Sequence, residues 1–421
     1  MNDVNGNLKA VPLGLVPSFG YGDRLGLATP GHLAAHRGSG FAPIFAQQSI
    51  REMARTNRTP AEVMEAAKRA LAAAGYAEPW GADADHLKTQ KDVEYTAAAG
   101  FCFFTIDPSE HVVNQADTMD VAALKAAVAA QNADGIYGGT SVESLYLGKT
   151  YSVGGQDLTF AEEPLLRAAV KYGRAIAHCE KMAGYIHTAN KGKLYEIEVS
   201  VDETDSPTSA LEHLFFALEL RRRGVTVVSL APRFIGEFEK GIDYKGDIKA
   251  FEAALKVHVA IAREFGPYKI SVHSGSDKFS IYPIIGRVCQ NLLHVKTAGT
   301  SYLEALRVVA RTNMPLFREI VDYSGGRFST DKVSYHISVT DADVPGLLKT
   351  SNDQLEQMFL NEDKGRQVLH VTFGSVLTLG NTAAGQPFKM AILEILQQNA
   401  DLHAEVLEHH LGKHLKQLRA G

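Results

Sequence analysis

Short β-type runs alternate with longer helical patterns along most of this 421-residue chain. Such alternation is typical of βα units, in which a helix joins each strand to the next parallel strand. The candidate strands lie at 13–19, 82–87, 101–106, 194–201, 225–230, 269–273, 293–297 and 333–339. Eight strands of this kind predict an α/β fold of the TIM-like (β/α)8 barrel type.

Two stretches fit the alternation poorly. Residues 108–160 break it with glycine-rich turns and a helical pattern at 121–130, which predicts an insertion after the third strand. The later part of the chain reads as helices, so we expect a C-terminal helical extension at 341–421. Because no interdomain linker or internal repeat is visible, we predict a single catalytic domain over residues 1–421.

The composition excludes several classes of protein. Hydrophobic residues make up 45% of the chain and its formal net charge is -5, which argues against nucleic acid as a partner because phosphate binding needs a clustered basic surface. Three widely spaced cysteines without a CxxC pattern indicate neither a disulfide framework nor a thiolate zinc site. No apolar run approaches the ~20 residues that span a bilayer, and the N-terminus does not read as a signal sequence. We therefore expect a cytoplasmic protein with no membrane partner.

Polar side chains occupy alternate positions in three candidate strands. Because side chains in a strand point to opposite faces in turn, Glu198, His273 and His336 each lie on the polar face of their run. A purely structural barrel would fill this inner face with Val, Ile and Leu, and a lone buried carboxylate is costly unless it is paired or metal-bound. Two imidazoles and a carboxylate therefore predict a divalent metal site, for which Zn, Mn, Ni and Co are all compatible. The alternative is that both histidines are hydrogen-bonded core residues and Glu198 pairs with Lys296.

Further carboxylates fall at or near the ends of predicted strands, where the active sites of barrel enzymes lie. They are Asp83, Asp85, Asp107 and Asp202. A carboxylate near a metal ion or a second carboxylate can be tuned as a general acid or base. The competing interpretation is that each aspartate only caps the helix that follows it.

Cations in the same loops predict an anionic substrate. Arg24, Lys88, Lys278 and Lys296 are expected around one barrel mouth, an arrangement that suits a sugar acid. Lys296 is also a candidate Schiff-base lysine, as in a metal-free aldolase, but that role leaves the histidines unexplained. His370 fits either a site residue or a core histidine. The glycine-rich segments match no dinucleotide or P-loop fingerprint, so a nucleotide is not expected.

Several long motifs are similar to those of one enzyme family. They are GDRLG at 22–26, TPGH at 29–32, FAQQS at 45–49, GADADH at 81–86, FTIDPS at 104–109, EVSVDE at 198–203, RFIGE at 233–237, HSGSDKF at 273–279 and HVKTAGTS at 294–301. Together they resemble the tagaturonate/fructuronate epimerases of hexuronate catabolism. The resemblance extends from about residue 14 to the C-terminus.

The resemblance implies a metal-dependent epimerase on a TIM-like barrel that interconverts D-tagaturonate and D-fructuronate, with weaker action on D-tagatose and D-fructose. The implied metal ligands are Glu198, His273 and His336. The expected catalytic carboxylates are Asp85, Asp107 and Glu198. The expected substrate-binding residues are Arg24, Lys88, Asp202, Asp277, Lys278 and Lys296. The expected partner is a small sugar acid, and a homo-oligomer is compatible with this function.

The implied reaction inverts carbon 4 of the ketose, which lies β to the ketone, so simple enolisation does not acidify its hydrogen. Retro-aldol cleavage between carbons 3 and 4 instead gives a stabilised enediolate and an aldehyde that rotates and re-adds. In this hypothesis Asp85 or Asp107 accepts the proton of the carbon 4 hydroxyl. Direct deprotonation and transient oxidation at carbon 4 are the other routes. A class II aldolase, a ketose 3-epimerase acting on a sugar acid and a non-enzymatic sugar-acid binding protein are the competing functions.

Overall fold

Eight parallel strands close into a barrel in the computed structural model of this protein, which describes residues 8–273, 277–297 and 299–420. The strands of the described chain, of which β5 and β6 lie outside the barrel, are β1 (Ser18–Gly22), β2 (Ala42–Ser49), β3 (Gly81–Leu87), β4 (Phe103–Ile106), β5 (Thr150–Val153), β6 (Gln156–Thr159), β7 (Glu196–Ser200), β8 (Ser229–Ala231), β9 (Lys269–His273) and β10 (Leu293–Thr297). Around the barrel the order is β1, β10, β9, β8, β7, β4, β3, β2, and every neighbouring pair is parallel. This topology confirms the predicted TIM-like α/β fold.

Helices surround the barrel and fill most of the remaining described chain. They are α1 (Thr29–His36), α2 (Ile50–Thr56), α3 (Pro60–Ala73), α4 (Gln90–Ala98), α5 (Val121–Ala133), α6 (Val142–Tyr146), α7 (Glu162–Ala189), α8 (Ala210–Arg222), α9 (Ile248–Phe265), α10 (Tyr282–Cys289), α11 (Thr300–Thr312), α12 (Met314–Asp331), α13 (Val344–Leu347), α14 (Leu355–Leu360), α15 (Asp363–Thr378), α16 (Phe388–Gln398) and α17 (Ala400–Arg419). Short 3-10 turns lie at Ser109–His111, Asn114–Asp117, Lys332–Ser334 and Asn352–Gln354. Side-chain caps start several of the helices, and Thr59 forms a capping box with Glu62 at the start of α3.

The sequence prediction missed one barrel strand. Strand β2 pairs with β1 on one side and β3 on the other, yet its sequence APIFAQQS was not read as a strand. Pro43 and the two glutamines weaken the β-type pattern, because proline lacks a ladder donor and a parallel strand usually reads as a continuous apolar run.

The predicted strand at 333–339 is wrong. Its residues form a 3-10 turn followed by irregular backbone. The barrel has its eight strands without this segment, because β2 pairs with both β1 and β3 and closes the sheet. The alternating pattern has another cause: Tyr335, Ile337 and Val339 pack against the C-terminal helices, while His336 and Ser338 between them are exposed.

Residues 108–160 lie between β4 and the long helix α7. Helix α5 covers the predicted helix at 121–130, and β5 and β6 pair as an antiparallel hairpin outside the barrel. Tyr137 and Phe160 are fully buried and belong to the same hydrophobic cluster as the barrel strands.

Buried apolar residues form two clusters. One fills the space between the barrel and its surrounding helices and includes Trp80 and Phe104. The other joins the helices after β10 and runs from Tyr302 to Val406, so helical packing begins well before residue 341. The division of 1–421 into one domain with two additions stays a prediction. Among the described residues, no helix is both long and apolar enough to cross a bilayer.

Candidate active site

Side chains from different strands reach the same level near the carboxyl end of the barrel. Thr105 of β4 lies opposite Glu198 of β7 in the parallel register. Lys296 of β10 lies opposite His273 of β9. Because the active sites of TIM-like barrels lie at this end, these residues mark the candidate site.

Lys296 occupies the centre of the site. Its ammonium nitrogen lies 2.8 Å from one oxygen each of Asp83, Asp85 and Glu198. The lysine also donates to the Thr105 hydroxyl at 2.6 Å. Burial lowers the pKa of Lys296, but the three carboxylates outweigh burial and hold it well above its ordinary value. The amine is therefore protonated, which disfavours the Schiff-base interpretation. The ion pair between Glu198 and Lys296, which belonged to the alternative without a metal ion, is present.

The three carboxyl groups around this lysine differ in their pKa. Burial raises the pKa of Glu198, but Lys296 and the hydrogen bond with His273 lower it well below its usual range. Asp85 is likewise held well below its usual pKa, since its neighbours outweigh burial. For Asp83, burial dominates and raises the pKa to about 7. Asp83 is therefore the carboxyl in this cluster that binds a proton near neutral pH.

His273 connects the lysine cluster to the barrel mouth. Its Nε2 atom lies 2.9 Å from the Glu198 Oε1 atom, and its Nδ1 atom lies 3.3 Å from the Asp202 Oδ2 atom. Burial lowers its pKa, but Asp202 and Glu198 outweigh burial and raise the pKa of His273 to about 9. The structure therefore brings together two of the three predicted metal ligands, Glu198 and His273.

His86 is a further imidazole at the same mouth. Its backbone has φ of 54°, a left-handed conformation that is strained in a residue with a side chain. This turn places its ring 5.4 Å from the His273 ring, between centroids, and its Nδ1 atom 2.9 Å from the Asp85 Oδ1 atom. The His86 Nε2 atom is buried and has no hydrogen-bond partner among the described residues. Asp202 lies nearest to it, at 3.8 Å.

The donor set at the mouth fits a divalent metal ion. One ligand atom each from Asp85, His86 and His273 lie within 4.8 Å of one another. A second group, formed by His86, Asp107 and Glu203, meets the same criterion. Imidazole and carboxylate ligands suit Zn, Mn, Ni or Co. The buried His86 Nε2 atom, which has no hydrogen-bond partner among the described residues, is available as a ligand, since buried polar atoms are normally satisfied.

His336 lies outside this donor set. It follows the 3-10 turn after α12, its side chain is 65% exposed, and its Nε2 atom lies 2.5 Å from the Glu237 Oε2 atom. The interior position predicted for it is therefore wrong, because it depended on a strand that does not form. His336 does line the same cavity as His273, and its role as a metal ligand stays a prediction.

A two-part cavity opens at the barrel mouth. The outer part has a volume of about 450 Å³ and is lined by Arg51, Asp202, Arg233, Lys240 and His273, among others. The inner part reaches Lys296 and Asp85. The two parts share His273, Asp202 and Lys240 in their walls, so a ligand that fills the outer part reaches the ionic cluster.

Two of the predicted substrate-binding cations lie at this mouth and carry protein partners. Arg24 lines the inner cavity, donates to the Glu52 carboxylate at 2.6 and 2.8 Å, and lies over the Phe373 ring at 3.6 Å. Lys88 lies at the rim, 3.1 Å from the Glu110 carboxylate and 3.7 Å from Asp107. The predicted catalytic residue Asp107 is buried and accepts a hydrogen bond from the Ser109 amide at 2.9 Å.

The structure places Asp277 and Lys278 behind the cavity wall. Asp277 accepts hydrogen bonds from His410 and His414 at 2.8 and 3.0 Å and from Arg366 at 2.8 Å. Lys278 is fully buried and donates to the main-chain carbonyl of Glu239 at 3.0 Å. Neither residue lines the cavity at the barrel mouth, and their predicted contact with substrate stays a prediction.

Comparison with known proteins decides the family. A model of the tagaturonate epimerase family matches residues 8–418 of the chain. The tagaturonate/fructuronate epimerase of Thermotoga maritima is 46% identical over 409 residues, which are 97% of this chain and 82% of that protein. This chain belongs to the tagaturonate epimerase family. The resemblance drawn from the motifs is confirmed, and the chain is an enzyme of the carbohydrate isomerase class.

Solved structures agree with this assignment. A crystal structure of the fructuronate-tagaturonate epimerase from Cohnella laeviribosi in complex with one glycerol is 39% identical, with a TM-score of 0.91 over 98% of this chain and 83% of that one. The native crystal structure of the same protein gives a TM-score of 0.90 and covers 97% of this chain and 83% of that one. The barrel of this epimerase is thus shared along nearly the whole chain.

Sequence reasoning missed several residues at the mouth of this epimerase. Gln47 and Ser49 follow from the missed strand β2, although the FAQQS motif had signalled them. His86 was missed because strict alternation after Asp85 turns it away from the barrel, and no sequence pattern announces the left-handed backbone that brings it back. Lys240 lies in the loop between β8 and α9, where no periodic pattern exists.

Proposed function

We propose that the enzyme interconverts D-tagaturonate and D-fructuronate by inverting carbon 4. The observation that carries this proposal is the cluster at the barrel mouth, where a protonated lysine and two imidazoles meet four carboxyl groups beside the cavity. Family membership supports the substrate pair, because the relatives are described as tagaturonate/fructuronate epimerases. A cavity of about 450 Å³ also suits a six-carbon sugar acid.

We propose that Asp85, His86 and His273 hold a divalent ion at this site, in place of the set of Glu198, His273 and His336. The three ligand atoms lie within 4.8 Å of one another. When bound, such an ion would supply positive charge that stabilises the negative charge developing on substrate oxygens. Glu198 is better suited to orient His273, since a carboxylate that accepts from a ligating imidazole fixes its tautomer and direction.

We propose a retro-aldol route for the reaction. A base takes the proton of the carbon 4 hydroxyl, the bond between carbons 3 and 4 breaks, and its electron pair passes to carbons 3 and 2 as an enediolate. The aldehyde at carbon 4 rotates, carbon 3 attacks its other face, and the base returns its proton to the new oxygen anion at carbon 4. Because Asp85 belongs to the metal group, Asp107 is the remaining predicted base, and its group with His86 and Glu203 places it at the mouth.

Lys296 serves this route as a fixed cation. It remains protonated, because Asp83, Asp85 and Glu198 surround it. A preorganised positive charge in a buried site stabilises oxyanions that form during reaction without reorganisation. Asp83 is fully buried beside it, and burial raises the pKa of Asp83 to about 7. Asp83 can therefore take up or release a proton as charge develops on the substrate oxygens.

One experiment tests both the reaction and the metal. The purified enzyme is stripped with a chelator, reloaded with single divalent ions and assayed on D-tagaturonate in heavy water, with D-fructuronate as the monitored product. We expect activity to disappear and return with the ion, and the product to carry no deuterium at carbon 4. Full deuterium exchange at carbon 4 contradicts the retro-aldol route, and full activity after stripping contradicts the metal. Net cleavage without inversion would instead indicate an aldolase, and inversion at carbon 3 a ketose 3-epimerase.

We also propose weaker activity on D-tagatose and D-fructose, since the same carbons react in these neutral sugars. A cytoplasmic location and assembly into a homo-oligomer remain predictions for this enzyme. Cell fractionation and light scattering of the purified protein test them directly.

A further inference from the structure

The cations of the cavity are mostly neutralised by the protein. Arg51 lies 3.0 Å from the Glu203 carboxylate, Arg24 is paired with Glu52, and Lys296 is surrounded by carboxylates. Lys240 differs from them. It lines both parts of the cavity, and within the described residues no carboxylate lies within 4.0 Å of its ammonium nitrogen and no acceptor hydrogen-bonds to it. In the part of the chain that the structure describes, the cavity therefore presents one lysine whose charge has no direct partner.

Three carboxylates of the outer cavity, those of Asp202, Glu203 and Glu237, contact other residues instead. Asp202 contacts His273 at 3.3 Å, and Glu237 contacts His336 at 2.5 Å. A second unsatisfied donor lies in the same wall: the Nε atom of Arg233 is buried and without a hydrogen-bond partner among the described residues. The only carboxylate near Arg233 in the described chain is Glu237, at 3.8 Å from its Nη2 atom.

The segment that carries Lys240 is held in place from behind. Lys278 donates to the carbonyl of Glu239 at 3.0 Å and also to that of Ile242. Arg366 donates to the carbonyl of Gly241 at 2.7 Å. Bonds on both sides of Lys240 therefore hold its backbone, so a ligand has to order only the lysine side chain.

Side chains add to this anchoring. The Glu239 carboxylate accepts from the Ser338 amide at 2.7 Å and from the Gln367 side chain at 2.6 Å. Farther along the loop, Tyr244 packs over Gly236, which has φ of 89° and leaves no room for a Cβ atom. A lysine with no direct partner among the described residues, on a segment anchored in this way, is the arrangement expected of a preformed anion subsite.

We propose that Lys240, assisted by Arg233, binds the carboxylate of the sugar acid and so selects uronic acids over neutral ketoses. This inference rests on the proposed function, since it names the group that recognises the acid end of that substrate. It assigns Asp277 and Lys278 a different role from the predicted one: Lys278 directly, and Asp277 through Arg366, position the segment that bears Lys240.

The test compares Lys240→Met with Lys240→Arg in the metal-loaded enzyme on D-tagaturonate. Because the carboxylate is remote from carbon 4, its contact contributes equally to ground and transition states, and its loss appears in KM. We expect Lys240→Met to lower kcat/KM by about 10-fold to 100-fold, almost entirely through KM, as for the loss of a hydrogen bond to a charged group. Lys240→Arg should recover most of this loss, and Arg233→Met should give a smaller rise in KM.

Lys249→Met is the matched control, because Lys249 is an exposed lysine in the first turn of α9 and lies outside the cavity. It removes the same charge and should leave KM and kcat unchanged. If the wild-type enzyme does not convert D-tagaturonate, the proposed function fails. If the wild type is active and Lys240→Met keeps its KM, or loses kcat with KM unchanged, the carboxylate subsite is refuted while the function stands. A melting temperature equal to that of the wild type shows that each variant is folded. If Lys240→Met does not fold, Arg233→Met gives a second test of the subsite.

Discussion

Lys296→Met is the most informative single perturbation of the barrel interior. The lysine side chain is 3% exposed, and its ammonium group lies 2.8 Å from the carboxylates of Asp83, Asp85 and Glu198, which are 0%, 8% and 0% exposed. Methionine keeps most of the volume and removes the charge. The variant therefore leaves three buried carboxyl groups without their common cation.

The size of the effect follows from this geometry. Removing one partner of a buried ion pair typically costs about 3–5 kcal/mol, because the remaining charge stays buried without compensation. With an unfolding entropy of about 2.1 cal/mol/K per residue, the 421-residue chain loses about 1 °C of melting temperature per kcal/mol. We therefore expect a fall of about 3–6 °C at pH 8 by scanning calorimetry of the chelator-treated protein.

The loss should depend on pH in a defined direction. In the wild type, the raised pKa of Lys296 contributes stability at any pH below the pKa of lysine in the unfolded chain, about 10.4. The lowered pKa values of Asp85 and Glu198 contribute stability at any pH above the pKa of these carboxyl groups in the unfolded chain, about 4. In the variant, burial raises the carboxyl pKa values, so the folded state takes up protons as the pH falls. The difference in melting temperature between variant and wild type should therefore be smaller at pH 5 than at pH 8.

The control is Lys256→Met, which removes a lysine that is 61% exposed and paired with Glu252 on the surface. Exposed pairs of this kind contribute little, so no measurable change in melting temperature is expected. A Lys296→Met variant as stable as the wild type at pH 8, or equally destabilised at pH 5 and pH 8, would refute the ionic cluster as described.

Two further predictions concern the metal site and the packing of α17. His86→Ala and His273→Ala should each lose the bound ion, measured by elemental analysis, and most of the turnover. His336→Ala should keep both the ion and the turnover. Loss of the ion only from the His336 and His273 variants would restore the ligand set predicted from the sequence. Gly286→Ala should lower the melting temperature by about 1–3 °C, because its Cβ atom overlaps the backbone of α17 and such overpacking costs about 1–3 kcal/mol. Gly412→Ala, a helical position with nothing within 4 Å of the new atom, should be neutral or slightly stabilising, and equal effects of the two substitutions would contradict the packing argument.

Much of the fold was predictable because local periodicity and strand burial coincide. Strands β9 and β10 were predicted with the bounds that the structure has. The register of parallel neighbours then brings Lys296 beside His273. The failures arose where periodicity had another cause, as at 333–339, whose alternation reflects packing on the C-terminal helices.

The amino-acid sequence by itself determined the architecture, the family and the chemical types at the mouth, because βα alternation and long motifs are local properties of the chain. Only the tertiary structure decided which side chains meet. Barrel closure gives each strand two hydrogen-bonded neighbours and so excluded residues 333–339 from the barrel. A left-handed backbone turned His86 toward His273. A hydrogen bond from a distant helix holds the segment of Lys240 at the cavity. These outcomes depend on contacts between residues far apart in the chain, which no local pattern encodes.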